Sequence, residues 1–167
     1  VATLLLHPGA VAVKSEAELA SLGSGQLQTE TIVAKIDSAP KQFLLPVTLP
    51  RRADRRFAKL SFSFTESNQG QVAVIPFDLS QIQIFRGRPG NAGDRVGIKT
   101  AWIDETGTLW VEFNQPVRSG TALTVALRTP QFPAGATVRY GIAAYPATRN
   151  PVPIFVGDGT LNQRLGR

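Results

Sequence analysis

The sequence predicts an all-β fold, an antiparallel β-sandwich, and three observations carry that reading. Val111 and Phe113 alternate with Glu112 and Asn114, and Leu123, Val125 and Leu127 repeat the alternation beyond Pro116 and Gly120. A period of two is the mark of a strand with one buried face. Similar runs recur about every 8–12 residues with Gly, Pro, Asn or Asp between them, the spacing of a sandwich or barrel. Only residues 15–22 carry a helix signature. The expected arrangement is immunoglobulin-like or related to it, over residues 31–167. An N-terminal extension with a short helix, residues 1–30, precedes it.

The elements follow in order. Residues 1–13 read as an apolar extended segment turning at Pro8-Gly9. An unpaired strand leaves backbone donors and acceptors open, so this segment is expected to pair along a sheet edge. Ser15 with Glu18 forms a capping box, Glu16 and Glu18 suit the positive end of the helix dipole, and Gly23 stops the helix. Residues 23–31, rich in Gly, Ser, Gln and Thr, read as a linker. Strands are expected over 31–36 and 42–49, and over 60–65, where Leu60, Phe62 and Phe64 share a face. Asn68-Gln69-Gly70 predicts a hairpin turn into a strand over 71–75. Ile82 and Ile84 alternate around Gln83, and the Gly-rich stretch 86–93 reads as a flexible loop. Strands over 96–103 and 108–113 flank the turn Asp104-Glu105-Thr106-Gly107. Strands over 123–127, 137–145 and 154–161 complete the set. Leu60, Phe62, Phe64, Phe77, Trp110, Phe113, Leu123, Val125 and Ile142 are the expected core.

The chain of 167 residues, 43% hydrophobic and 18% charged, fits one globular domain able to bury a core without a disulfide or a metal. No apolar run approaches the roughly 20 residues of a membrane-spanning helix. There is no Met, so Val1-Ala2-Thr3 reads as an end left by removal of a targeting segment, the alternative being a truncated chain. With no Cys, the chain is compatible with either side of a membrane. The net charge of +6 favours acidic partners. Most of the cations are scattered. One cluster stands out, Arg51, Arg52, Arg55, Arg56 and Lys59, broken by Asp54. It reads either as a solvated loop or helical turn, or as a partner-binding patch.

Catalytic chemistry finds few candidates. His7 is the sole His, it lies in the apolar N-terminal segment, and no Gly-x-Ser-x-Gly elbow exists. Zinc or copper would need Cys or clustered His. Calcium needs only oxygens, and Asp78, Asp94, Asp104, Glu105 and Asp158 fall in or near loops, but none forms the spaced run of an EF-hand. Glu112 would need a second acid across a cleft to act as a glycosidase, and reads more simply as a solvent-facing strand residue. The Gly-rich stretch is followed by no helix, so it lacks the N–H cradle that holds phosphate. Trp102, Trp110, Tyr140 and Tyr145 would suit a sugar or base platform, but strand aromatics usually belong to a core. None is interleaved with the basic cluster, which argues against nucleic acid.

Four stretches carry a resemblance. Phe43-Leu44-Leu45-Pro46-Val47-Thr48-Leu49-Pro50 is a strand ending in Pro. Ile75-Pro76-Phe77-Asp78-Leu79-Ser80 precedes Phe85-Arg86-Gly87. Residues 111–127 hold a Phe-x-x-Pro-Val-x-x-Gly-Thr strand pair, and Tyr140-Gly141-Ile142-Ala143-Ala144-Tyr145-Pro146 ends in aromatic-Pro. Over residues 40–161 the chain resembles a family of exported cyanobacterial proteins, domain of unknown function 2808. The resemblance implies export and a β-rich domain. It implies no activity and transfers no functional residue. The sequence departs from the family pattern at 147–153, in place of a Gly-containing turn, and in the basic segment 51–59, where the family is neutral or acidic. The Pro-Val-x-x-Gly pair is also similar to the exported copper-carrier sandwiches, whose metal site needs His or Met.

The expectation is a non-catalytic exported sandwich that binds another protein and uses no cofactor. It would serve as an accessory or structural subunit of a cyanobacterial envelope or photosynthetic-membrane assembly, in the periplasm, the thylakoid lumen or at the cell surface. Arg51, Arg52, Arg55, Arg56 and Lys59 would meet an acidic face of that partner or of a membrane-associated complex. The rival is a binding module for acidic polysaccharide, combining Arg with Trp or Tyr. An enzyme with an unrecognised carboxylate site is the third class.

Overall fold

The alternating runs fold as strands. The computed structural model describes residues 41–52, 54–132 and 135–162. The N-terminal extension and helix expected over 1–30, the strand over 31–36 and His7 lie outside the described residues. Nine strands are described: β1 (Lys41–Thr48), β2 (Arg56–Glu66), β3 (Gln83–Arg88), β4 (Asn91–Val96), β5 (Ile98–Ile103), β6 (Leu109–Arg118), β7 (Ala122–Thr129), β8 (Thr137–Pro146) and β9 (Ile154–Asn162). They form a four-stranded sheet in the order β1-β7-β3-β4 and a five-stranded sheet in the order β5-β6-β2-β8-β9. All pairings are antiparallel. Among the described residues the helical content is one 3-10 turn, Leu79–Gln81, capped by Asp78.

The core lies between the sheets. Leu45 and Val47 of β1, Ile84 of β3, and Leu123, Val125 and Leu127 of β7 come from one side. Leu60, Phe62 and Phe64 of β2, Leu109, Val111 and Phe113 of β6, and Val138, Ile142 and Ala144 of β8 come from the other. Full burial of such side chains contributes about 1.5–3 kcal/mol each, which outweighs what any surface contact here supplies. Phe64 packs on Phe77 with ring centroids 4.9 Å apart. Eight of the nine expected core residues are buried. Trp110 is the correction: it sits half-exposed between the buried Leu109 and Val111, on the outer face of the five-stranded sheet.

Three further expectations change. The run over 96–103 is two strands in different sheets, β4 and β5, with only Gly97 between them. A Cβ at Gly97 would lie 3.2 Å from Asn114 Cβ, and Asn114 N–H donates to the Gly97 carbonyl at 2.8 Å, so the crossing point leaves little room for a side chain. The stretch 86–93 is a hairpin, since Gly87 pairs with Ala92 and Arg88 with Asn91 around Pro89-Gly90. The strand expected over 71–75 reduces to one bridge, Thr65 to Val72.

The irregularity that matters most lies between β2 and β6. Phe57 pairs with Val117 and Lys59 with Glu112, so four residues of β6, Phe113 to Pro116, stand opposite Ala58 alone. Pro116 has no N–H to give to a ladder, and a strand that cannot pair bulges away. This outward excursion of β6 opens the surface described next.

Candidate functional site: an arginine-lined end

The β1–β2 connection carries the basic cluster and is clamped to the β6–β7 connection. Leu49 N–H donates to the Thr121 carbonyl at 2.9 Å, Ser119 N–H to the Arg55 carbonyl at 3.1 Å, and Gly120 N–H to the Leu49 carbonyl at 3.1 Å. The Ser119 hydroxyl donates to the Arg52 carbonyl at 2.8 Å. Gly120 has φ 75° and lies beneath the Arg51 side chain, where a Cβ would approach Cγ to 3.3 Å. Asp54 takes φ 56°, a conformation that Asp tolerates better than most side chains. The connection is a solvent-exposed loop tied by backbone hydrogen bonds to its neighbour, compatible with both expectations.

Two concavities share this end. One, of about 630 Å³, is lined by Arg51, Arg52, Asp54, Arg55, Arg56, Arg118 and Ser119. The other, of about 550 Å³, sits where β6 bulges, and Arg56, Arg86, Arg95 and Arg118 line it with Asn114, Gln115 and Pro116. Arg56 and Arg118 belong to both. They also stand directly opposite each other in the β2–β6 register. Like charges so placed are destabilising. None of these seven arginines forms an ion pair with a described residue; among the described residues the salt bridge is Lys99 to Glu112, at 3.2 Å. Guanidinium stays charged at any ordinary pH and offers paired donors that match carboxylate geometry. The end therefore offers anion-binding chemistry, with the hydroxyls of Ser119 and Thr121 and the Asp54 carboxylate among its lining.

Of the residues singled out from sequence, Arg51, Arg52, Arg55 and Arg56 come together. Lys59 does not. It follows the β2–β6 irregularity and emerges on the outer face of the five-stranded sheet, where its Nζ lies 5.1 Å from the Trp110 ring centroid and 5.3 Å from that of Tyr145. Arg86, Arg95 and Arg118 were missed, because they are distant in sequence and only strand pairing assembles them. Pro116 inside a strand was the available signal, since a proline there implies a bulge.

That outer face forms a second surface. Trp102 stacks on Trp110 across β5 and β6, centroids 5.9 Å apart and planes 8° apart, and Tyr145 tilts against Trp110 at 5.0 Å. The Trp110 indole N–H donates to Asp104 Oδ2 at 2.7 Å. Asp104 Oδ1 accepts from the Thr106 hydroxyl at 2.6 Å and from the backbone N–H groups of Thr106 and Thr108. These donors, the Thr106 hydroxyl first and the indole next, hold the carboxyl at a pKa of about 2. Glu112 is bound to Lys99 on the neighbouring strand. Tyr140 packs apart from this ladder, across Gly159 of β9, and burial followed by the nearby Asp158 carboxylate pushes its phenol pKa up. Among the described residues no three acidic or His side chains converge on a metal-sized space.

Comparison with known proteins adds the following. A family model described as "Protein of unknown function (DUF2808)" matches residues 25–162. The chain is similar in structure to the collagen-binding domain from a Staphylococcus aureus adhesin, with 10% identity, 76% of this chain and 90% of that chain covered, and a TM-score of 0.37. It is also similar to a structure described as manganese lipoxygenase of Gaeumannomyces graminis and partial zonadhesin of Komagataella pastoris. There the identity is 11%, coverage is 75% of this chain and 56% of that chain, and the TM-score is 0.40. No curated protein matches.

Proposed function

The chain belongs to the DUF2808 family of proteins of unknown function, and we propose that it is a non-catalytic, exported sandwich that docks on an acidic face of another protein. Export and a cyanobacterial setting, as an accessory or structural subunit of an envelope or photosynthetic-membrane assembly, are what the family resemblance implies. The observation that carries the reading is the Arg56–Arg118 pair. Two like charges face each other in register at the head of a clamped platform of further arginines, with no described carboxylate paired to them. A partner carboxylate relieves the repulsion and gains charge-assisted hydrogen bonds.

The test is native co-purification of a partner with the full chain, followed by association kinetics for the Arg51→Gln, Arg52→Gln, Arg55→Gln, Arg56→Gln variant. Association should slow by roughly tenfold at low salt, and its salt dependence should flatten, with melting not lowered, since loss of Arg56 also relieves the repulsion with Arg118. Unaltered kinetics would remove this end from the interface. A second reading, a module for acidic polysaccharide, is supported by the outward-facing Trp102, Trp110 and Tyr145 rings. A glycan retained through native purification, in place of a stoichiometric protein, would favour it.

A further inference from the structure

The two concavities adjoin, sharing two lining arginines. The first gathers Arg51, Arg52 and Arg55 from the β1–β2 connection; the second gathers Arg86 of β3 and Arg95 of β4 from the other sheet. Arg56 and Arg118 line both, so arginines follow one another from the β1–β2 connection past the bulged end of β6 to β3 and β4. All seven arginines are exposed, and none is neutralised by a described carboxylate. A single small oxyanion reaches one concavity and leaves the other uncompensated. A linear polyanion reaches both.

Resting on the docking reading above, we infer that this track seats an extended acidic peptide segment of the partner, its carboxylates spaced along seven arginines from Arg51 to Arg95. Three features select a peptide among linear polyanions. No described aromatic ring lines either concavity, so no described residue there stacks on a sugar or a nucleobase. The aromatic rings of the protein's outer sheet face lie on a different surface. Asn114 and Gln115 line the second concavity, and a carboxamide both donates and accepts, which matches the alternating groups of a peptide backbone. In an extended strand, alternate side chains project to one side about 7 Å apart, so an Asp- or Glu-rich segment presents carboxylates at successive stations along the track.

The probe is fluorescein-labelled decaglutamate, which spans about 33–36 Å when extended, titrated by anisotropy against the full chain at low and at moderate salt. The wild type should bind at low salt and weaken steeply as salt rises. The Arg86→Gln, Arg95→Gln double variant should lose roughly tenfold in affinity, because two charge-assisted pairs are removed. The Arg51→Gln, Arg52→Gln variant should lose a similar factor. Arg139→Gln, on exposed surface of β8 away from the track, gauges the effect of losing one positive charge elsewhere and should stay within about twofold of wild type. Circular dichroism melts establish that each variant is folded.

An Arg86→Gln, Arg95→Gln variant that binds like Arg139→Gln overturns the track. The docking reading then still stands if the native partner's association responds to the β1–β2 arginines. Absence of wild-type binding to decaglutamate at low salt also overturns the track. So does a decagalacturonate of equal charge that binds about tenfold more tightly than the peptide, since that outcome assigns the surface to an acidic glycan.

Discussion

The two charged surfaces of this protein use cations in opposite ways. On the outer sheet face Lys59 lies over two aromatic rings, Lys99 is bound to Glu112, and Asp104 is held by four donors. These three charges each have a partner, and the ladder ties β5, β6, β2 and β8 together. At the arginine-lined end, seven guanidinium groups surround two concavities with Asp54 as the one carboxylate among the described lining residues. The first arrangement is what folding alone selects. The second departs from it, and local conflict with stability is where a functional surface is to be sought.

The comparison is broken most severely from beneath. Phe57 is fully buried and pairs with Val117, one residue from the Arg56–Arg118 pair. Phe57→Ala should cost about 3–5 kcal/mol in urea unfolding and disturb the arginine end with it. A loss under about 1 kcal/mol would mean that the platform does not rest on this core.

On the paired surface, the depressed pKa of Asp104 makes a prediction about pH. Its unfolded value is near 3.8 and its folded value about 2. The folded state holds the proton less tightly, so the contribution to stability is full above pH ~4 and is lost as pH falls toward about 2. Asp104→Asn should be less stable than wild type at neutral pH, and the gap should close through that acid window. The tryptophan emission of the variant should differ at neutral pH, because Trp110 loses its carboxylate acceptor. A gap that persists unchanged at pH 2 would remove the carboxylate as its source.

The smallest effect has the most telling sign. Arg118→Gln should stabilise the fold by roughly 0.2–1 kcal/mol, by relieving the like charge opposite Arg56. The gain should shrink as salt screens the pair. Destabilisation in the same urea assay would show that Arg118 is structural and would erase the contrast between the surfaces.

Much of the sandwich was legible in sequence because alternation is local. The parity of β6 even contained the position of Trp110: with Val111 and Phe113 inward, period two turns Trp110 and Glu112 outward. Assigning Trp110 to the core followed its size and overrode that parity. Lys59 was grouped with the arginines because residues 51–59 are contiguous, but Phe57 and Leu60 are both buried three positions apart, which a regular strand cannot do. The irregularity at Ala58 separates what the chain holds together. The sheet change at Gly97 was hidden because Val96 and Ile98 are apolar and two apart, as in one continuous strand, with only a single Gly between them. Arg86, Arg95 and Arg118 were invisible as a group, since strand pairing and the proximity of two sheets are non-local.

The clamp between the two connections has a consequence for rates. A basic loop that is free in solution must surrender backbone freedom at the moment of encounter, at about 1–2 kcal/mol for each residue fixed. Here Leu49, Arg52 and Arg55 are already hydrogen-bonded to Ser119, Gly120 and Thr121. The ordering cost falls on folding and not on association. On the docking proposed above, backbone preorganised in this way lowers the cost of association and favours long residence.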